Sequence, residues 1–196
     1  MKVVDISKIA VSEALNIAAK ALSKGKVIVC PTDTIYGFIA DAQNLKAVAK
    51  LFRIKLRRKE KPLGIFVKDL AMAKKIAGIR PLQEKFLKTV WPGKVTAVLY
   101  ASKRFPKGVG TKETIGIRVP RHNFLNLLLK KFNHALVQTS VNISDTPPLQ
   151  RVADMVGVFG RRKWKPDLIL DAGKLPSSRP SKVVDMTGEK TKILRA

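Results

Sequence analysis

Short runs rich in Val and Ile recur along this chain, separated irregularly by helical segments, and this pattern is the strongest constraint on its fold. Runs of this length and composition are typical of buried strands. Because several follow one another without an intervening helix, they predict an α/β fold with a mixed sheet and helices on its faces. The runs are KVIVC, LGIFV, VTAVLY, IGIRV, HALVQT, DLIL and KVVDM, at residues 26–30, 63–67, 95–100, 115–119, 134–139, 167–170 and 182–186.

Apolar residues at helical spacing predict the intervening helices. The predicted helices cover 11–22 and 44–54, two shorter segments within 69–89, and 123–132. Gly25 is the stop signal after the first of them. At 196 residues the chain suits a single domain over 1–196, large enough to bury a substantial core.

Basic residues dominate the charge, since 39 Lys and Arg stand against 14 Asp and Glu and give a net charge of +25. Such a chain attracts polyanions, of which nucleic acid is the commonest in cells, although some proteomes are basic throughout. No apolar run is long enough to span a membrane and the first residues do not resemble a signal peptide, so we expect a cytoplasmic protein. The single cysteine, Cys30, excludes an internal disulfide and, with only two histidines, disfavours a structural zinc site.

Two segments place polar groups directly after predicted strands, where open α/β sheets bind ligands. PTDTIYG (31–37) contains Thr34, and TSVNIS (139–144) presents Ser140 and Asn142 on the same side of an extended chain. The alternative for both segments is local side-chain bonding in an ordinary turn. No GxSxG elbow or histidine close in sequence supports Ser140 as the nucleophile of a hydrolase.

Two groups of cations are candidates for holding an anion. If the chain becomes extended after residue 54, Lys55 and Arg57 of KLRRKEKPL project to one side, and a Lys–Arg pair suits phosphate. The alternative is that these charges form the solvated flank of a helix. Arg58 and Lys59 are interpreted in that way, as residues that contact solvent or RNA. Arg118 lies within an apolar strand and therefore requires either an internal carboxylate or a ligand anion.

The segment RRKWK (161–165) combines four basic residues with Trp164. This pattern suits contact with RNA backbone and bases, or an exposed loop anchored by its aromatic residue. The chain contains neither a Walker-type phosphate loop nor a GxGxxG motif, so any nucleotide is bound by another route.

Together these motifs resemble the YrdC/TsaC family of threonylcarbamoyl-AMP synthases. Each is weak alone, but seven in the family order are specific. The resemblance implies a twisted open α/β sheet with a concave, basic surface, in the short form without an additional C-terminal domain. The landmarks are PTDTIYG, KLRRKEKPL, WPGKVTAVL, TIGIRVP, TSVNIS, PSKVVDMT (180–187) and ILR (193–195).

The resemblance also implies a reaction, in which L-threonine, bicarbonate or CO2 and ATP give L-threonylcarbamoyladenylate and pyrophosphate. Two anions must be brought together, which calls for fixed positive charge. Family positions assign catalysis to Lys55, Arg57, Ser140 and Asn142. They assign L-threonine binding to Thr34, Arg118 and Ser181, and ATP binding to Lys55, Arg57, Lys61, Thr114, Ser140 and Arg195. Mg2+ is expected with the ATP phosphates rather than in a protein metal site.

The family resemblance also implies partners. Other proteins would transfer the threonylcarbamoyl group to tRNA, and tRNA or another RNA is a candidate direct partner. Two alternatives are an RNA-binding protein of the same fold with lost or altered catalysis, and a carbamoylation enzyme with another acceptor. Retention of the four catalytic positions argues against the first, and the threonine positions argue against the second.

Three departures from the family pattern bear on activity. Where the family reads KGRP, this chain has Leu56 and Arg58 in place of Gly and Pro, which allows another path for the loop. Phe38 and Ile39 replace a Leu-Gly pair, and Asp145 adds a negative charge after TSVNIS.

Overall fold

The structure is a computed structural model that describes residues 1–58, 60–176 and 178–196. Lys59, interpreted above as a solvent or RNA contact, lies outside the described residues. Within them the strands are β1 Lys2–Asp5, β2 Ile28–Cys30, β3 Gly37–Asp41, β4 Gly64–Phe66, β5 Val95–Tyr100, β6 Thr114–Arg118, β7 Leu136–Ser140, β8 Leu168–Asp171, β9 Lys182–Asp185 and β10 Lys192–Arg195. The helices are α1 Val11–Ser23, α2 Leu45–Lys55, α3 Leu70–Lys74, α4 Pro81–Val90, α5 Asn123–Phe132 and α6 Val152–Phe159.

All these strands belong to one sheet, with the order β1-β8-β2-β3-β7-β4-β6-β5-β9-β10. Four neighbouring pairs are parallel, namely β1–β8, β8–β2, β4–β6 and β5–β9, and the other five are antiparallel. The predicted mixed sheet is therefore confirmed. Because β1 and β10 lie at opposite edges, the sheet is open rather than closed into a barrel.

The predicted strands and helices are all present, and β5 and α5 have the predicted bounds. The sequence interpretation missed β1, β3, β10 and α6. The outer strands β1 and β10 carry mostly exposed residues and show no alternating apolar pattern. Helix α6 is apolar throughout apart from Asp154 and contains Gly157, so it lacks a polar face.

Each face of the sheet packs against a different set of helices. Helices α2, α3, α4 and α6 bury residues against one face, and α1 and α5 bury residues against the other. However, α1 and α5 cover only the part of their face formed by β8, β2, β3 and the adjoining ends of β7 and β4. The rest of that face is open, and the change occurs within β7, where Leu136 is covered while Gln138 and Ser140 are not.

No helix within the described ranges is both long and apolar enough to cross a membrane.

Candidate active site

A cleft of about 560 Å3 occupies the open part of the sheet face. Its floor is formed by alternate residues of β7, β4, β6, β5 and β9, because every second side chain of a strand points to the same face. Loops that follow β2, α2 and β7 form its walls. The ends of several strands thus contribute to one site.

Two glycines widen the floor. Gly64 of β4 and Gly116 of β6 are neighbours, and a Cβ added to Gly116 would lie 3.8 Å from Gly64 Cα. A Cβ on Gly64 would approach the Gly116 carbonyl oxygen to 3.1 Å and Gln138 Nε2 to 3.2 Å. The missing side chains let a ligand approach the backbone of the sheet closely.

Lys55, Ser140 and Asn142 form a hydrogen-bonded network at the end of β7. The Lys55 ammonium donates to the Ser140 carbonyl at 2.7 Å, the Asn142 carbonyl at 3.0 Å and Asn142 Oδ1 at 2.7 Å. The Ser140 hydroxyl donates to the same Oδ1 at 2.7 Å, and Asn142 Nδ2 donates to the Thr146 carbonyl at 2.5 Å. All three ammonium hydrogens therefore have acceptors, and Lys55 orients the Ser140–Asn142 pair from behind the cleft wall.

The Lys55 side chain is almost completely buried, with the residue 1% exposed. Burial and, to a smaller degree, the nearby Arg57 guanidinium lower the pKa of Lys55 to about 7, while the Asp145 carboxylate opposes this shift. The Lys55 Nζ lies 5.8 Å from the centroid of the Phe38 ring, which provides a cation–π contact. Phe38, one of the departures from the family pattern, thus supports a buried charge.

The sequence interpretation assumed that the chain becomes extended after residue 54, and this assumption is wrong. Lys55 is the last residue of α2, and Leu56 adopts the left-handed conformation with φ of 51°. This conformation is the one that glycine favours, and the family has glycine at this position. Arg57 then donates through Nε and Nη2 to the carbonyls of Lys61 and Pro62, at 2.8 and 3.1 Å, and lines the cleft.

Arg118 is held by an internal carboxylate and also lines the cleft. Its Nη2 lies 2.6 Å from Asp33 Oδ1, in a pair whose side chains are 2% and 6% exposed, and its Nε donates to the Gly93 carbonyl at 2.8 Å. Burial lowers the pKa of the Arg118 guanidinium and Asp33 opposes the shift, but an arginine stays charged in either case. Arg118 Nη1 makes no hydrogen bond to a described residue, which leaves a donor for a ligand.

Thr34 takes part in the local bonding expected of a turn. The Thr32 hydroxyl donates to the Ile35 carbonyl at 2.7 Å and lies 3.0 Å from the Thr34 hydroxyl, which must therefore be the donor to Thr32. The Thr34 oxygen keeps its lone pairs as acceptors at the wall of the cleft. A turn structure and a ligand contact are thus compatible here.

Ser181 and Arg195 meet on the side of the cleft formed by β9. Arg195 Nε and Nη2 donate to the Ser181 carbonyl at 3.0 and 2.7 Å, and Nη2 also lies 3.2 Å from Ser181 Oγ. Ser181 Oγ lies 3.0 Å from Thr96 Oγ1 of β5. Thr114 of β6 lines the same cleft, with its hydroxyl 2.9 Å from that of Thr111.

Lys61 and Asp145 form an ion pair at the rim, with 2.6 Å between Lys61 Nζ and Asp145 Oδ1. Both side chains are exposed, and Asp145 adopts a left-handed conformation with φ of 66°. The Lys61 contact lowers the pKa of the Asp145 carboxyl, which therefore stays ionised at neutral pH. The pair joins the loop after α2 to the loop after β7.

The structure brings the predicted site residues together. Lys55 lies behind the cleft wall and Lys61 contacts the lining residue Asp145, while the other eight line the cleft themselves, namely Thr34, Arg57, Thr114, Arg118, Ser140, Asn142, Ser181 and Arg195. Sequence reasoning missed Thr96, Gln138, Gly64 and Gly116. A signal was available for two of these, because Gln138 and Gly116 lie two residues before Ser140 and Arg118 on the same side of their strands.

A family model for Sua5/YciO/YrdC, described as "Telomere recombination", matches residues 20–196. The chain belongs to this family. The threonylcarbamoyl-AMP synthase of Coxiella burnetii is 34% identical over 183 residues, which cover 91% of this chain and 96% of that protein. The human threonylcarbamoyl-AMP synthase is 30% identical over 165 residues, which cover 84% of this chain and 57% of that protein.

The crystal structure of P. abyssi Sua5 complexed with L-threonine has the same fold, with a TM-score of 0.89 and 28% sequence identity. The match covers 100% of this chain and 57% of that Sua5 chain, so this chain spans somewhat more than half of it. The expected twisted open sheet is thereby confirmed.

The cleft of this Sua5/YciO/YrdC member is rich in positive charge. Arg57, Arg118 and Arg195 line it and Lys55 lies behind its wall, whereas the nearby carboxylates, Asp33 and Asp145, are each paired with a cation. Such a site can hold two anionic groups side by side. Across residues 1–58, 60–176 and 178–196, no three His, Cys, Asp or Glu side chains cluster in a way that could hold a metal ion.

Proposed function

We propose that this chain is a threonylcarbamoyl-AMP synthase, a nucleotidyltransferase that converts L-threonine, bicarbonate or CO2 and ATP into L-threonylcarbamoyladenylate and pyrophosphate. The observation that carries the proposal is the meeting of Arg57, Arg118 and the Lys55–Ser140–Asn142 network in one cleft. The Coxiella burnetii relative, which carries this name and matches nearly its whole length, supports the assignment.

The central step joins two anions. The threonine amine first combines with CO2 and loses a proton, or with bicarbonate and loses water, to give N-carboxythreonine. A carbamate oxygen of this intermediate attacks the α-phosphorus of ATP, and the bond from this phosphorus to the pyrophosphate oxygen breaks. Arg57 neutralises the phosphates with its guanidinium, while Ser140 and Asn142 position them. Since the Lys55 ammonium has three protein acceptors, we assign it an electrostatic and positioning role, exerted through Ser140 and Asn142.

L-Threonine binds between Thr34, Arg118 and Ser181. The amino acid carboxylate pairs with Arg118 Nη1, which bonds to no described residue, since Nε donates to Gly93 and one N–H of Nη2 donates to Asp33. The Thr34 oxygen, whose proton is directed to Thr32, accepts from the threonine nitrogen. Ser181 contacts the remainder of the amino acid from the β9 side of the cleft.

ATP binds with Thr114 and Arg195 at its nucleoside end and Lys61 near its phosphates. Mg2+ enters with the phosphate oxygens and keeps its water ligands, as is usual for magnesium nucleotides. Other proteins then transfer the threonylcarbamoyl group to tRNA in the cytoplasm.

The assignment is tested by pyrophosphate release from the purified chain with MgATP, bicarbonate and one amino acid at a time. We expect release that requires both threonine and bicarbonate, with the adenylate detected by mass spectrometry. Release that prefers another amino acid would indicate a carbamoylation enzyme with a different acceptor. No release with any amino acid, combined with salt-sensitive tRNA binding, would favour the RNA-binding alternative.

A further inference from the structure

A second basic surface lies outside the cleft and takes no part in the proposed reaction. Two stretches of the sequence, 42–59 and 155–166, contain no Asp or Glu. The structure packs them against each other, because Arg53 of α2 lies over the Trp164 ring with its guanidinium carbon 4.5 Å from the ring centroid. This contact unites the RRKWK segment with the outer side of α2.

We call this surface the basic band. Within α2, Lys46, Lys50 and Arg53 are spaced four and three residues apart and therefore share one face of the helix. The single carboxylate that contacts the band among the described residues is Asp167, which lies 2.7 Å from Lys50 Nζ. The cations of the band are Lys26, Lys46, Lys50, Arg53, Arg161, Arg162, Lys163 and Lys165.

One part of the basic band lies at the opposite end of the parallel strands from the cleft. Lys26 lies two residues before β2, Asp167 directly precedes the parallel strand β8, and the two side chains contact each other at 3.6 Å. The cleft residues Thr32 and Thr34, in contrast, follow the end of β2. A ligand on this part of the band therefore leaves the small-molecule site accessible, whereas Arg53 lies two residues before Lys55 in the last turn of α2.

The chemistry of the band favours a nucleic acid over a membrane. Eight cations with one carboxylate form a field suited to a polyanion. Arg53 is itself exposed and held above an aromatic ring, and planar guanidinium groups stack on unpaired bases. Trp164, the aromatic residue of the band, packs against the core and is not presented for insertion into a membrane, although Leu45, Val156 and Val158 on α2 and α6 are exposed.

We propose that the basic band binds the phosphodiester backbone of a nucleic acid, with Arg53 over Trp164 as a platform for an unpaired base. This proposal does not depend on the proposed nucleotidyl transfer. Binding at the band and catalysis in the cleft are separate properties of the same chain.

The test compares two double variants of the whole chain that each remove two positive charges. Arg161→Gln with Lys163→Gln alters the band, and Lys130→Gln with Lys131→Gln alters exposed residues of α5 on another part of the surface. Fluorescence anisotropy with labelled tRNA, from 50 to 200 mM KCl, reports affinity. We expect the band variant to lose about tenfold in affinity and its salt slope to fall by about 1.4 to 1.8, with smaller changes in the control.

The thermal unfolding midpoint should be unchanged in both double variants, which shows that they fold, and any pyrophosphate release by the native chain should be unchanged as well. Equal losses of tRNA affinity would overturn the proposal in favour of diffuse attraction by the net charge. Absence of tRNA and DNA binding in the native chain, with binding to phosphatidylglycerol vesicles, would overturn it in favour of a membrane surface.

A third variant, Arg53→Lys, tests the stacking platform because it keeps the charge and removes the planar group. We expect at least about fivefold weaker binding of a single-stranded oligonucleotide and little change for a duplex of equal length. An equal effect on both would refute the stacking role.

Discussion

One face of the sheet is divided between a half covered by α1 and α5 and a half open to the cleft, and two strands cross the boundary. In β4, Phe66 packs with the covered half and borders the cleft, and Gly64 lies in the floor of the cleft. In β7, Leu136 is covered, and Gln138, two residues later, is open. A packed helix requires large apolar side chains, whereas a ligand requires space and polar groups. The functional half thus begins where alternate positions change from large and apolar to small or polar.

Charge distinguishes the two halves further. The covered half contains apolar side chains, but the open half has two nearly buried cations, Arg118 in the cleft lining and Lys55 behind the cleft wall. Burying a cation is unfavourable unless hydrogen bonds and opposite charges compensate for the lost water. Lys55 is compensated by oxygen acceptors and Arg118 by Asp33. Both are positioned before a ligand arrives, which is the condition for strong electrostatic stabilisation.

The largest effect is expected from Arg57→Ala, compared with Arg58→Ala next to it. Arg57 lines the cleft and is fixed by two backbone carbonyls, whereas Arg58 is exposed. Removal of Arg57 should lower kcat/KM for pyrophosphate release by about 1,000-fold, as for other preorganised donors at reacting centres. Arg58→Ala should stay within about threefold, because exposed charges are screened. Similar losses in the two variants would contradict the division between them.

A smaller but more diagnostic effect is expected from Gly116→Val. This change places a larger apolar side chain, typical of the covered half, in the floor of the cleft. A Cβ at Gly116 meets Thr96 Cγ2 at 3.4 Å, an ordinary contact, and a strand accommodates valine better than glycine. The unfolding free energy should therefore not fall, while kcat/KM drops by about 100-fold as substrates are displaced.

The matched control for this change is Ile115→Val, one residue earlier and directed into the core on the opposite face. It should lower the unfolding free energy by about 1 kcal/mol and leave kcat/KM nearly unchanged. Denaturant titration and steady-state kinetics on both variants measure the two quantities. A Gly116→Val protein that is destabilised yet fully active would show that the floor does not contact substrates.

The division of the face could be anticipated only in part from the sequence. Apolar runs and helical periodicity predict most strands and helices, because those patterns are local. The side-chain partners of the buried cations are 85 or more positions distant in sequence, as in Lys55 with Asn142 and Arg118 with Asp33, and no local pattern predicts such pairs. For the same reason the sequence left both alternatives open for Arg118, and the structure shows the internal carboxylate, Asp33, while Arg118 Nη1 bonds to no described residue.

The pH dependence of ATP binding tests the buried charge of Lys55. Its pKa of about 7 in the free protein lies far below the unfolded value of 10.5, so the ammonium is lost as pH rises through 7. A bound phosphate favours the ammonium and raises this pKa, so binding takes up a proton. ATP affinity should therefore fall above pH 7, by up to about tenfold per pH unit, until the pKa of the complex is passed. Calorimetry between pH 7 and 9 should show this decline in the native chain and a flat profile in Lys55→Met.

The smallest effect concerns Asp145, an exposed carboxylate at the rim of the cleft. It holds Lys61 and places a negative charge where the phosphates are expected, so Asp145→Gly should tighten ATP binding by about threefold at low salt and less at high salt. Glycine also suits the left-handed backbone at this position, and Asp145→Asn separates the two causes because asparagine tolerates that conformation and carries no charge. An equal gain in both variants would assign the effect to charge. A gain confined to Asp145→Gly would assign the tighter ATP binding to the backbone. ATP affinity would then depend on backbone conformation at the rim, and on electrostatics only in the interior of the cleft.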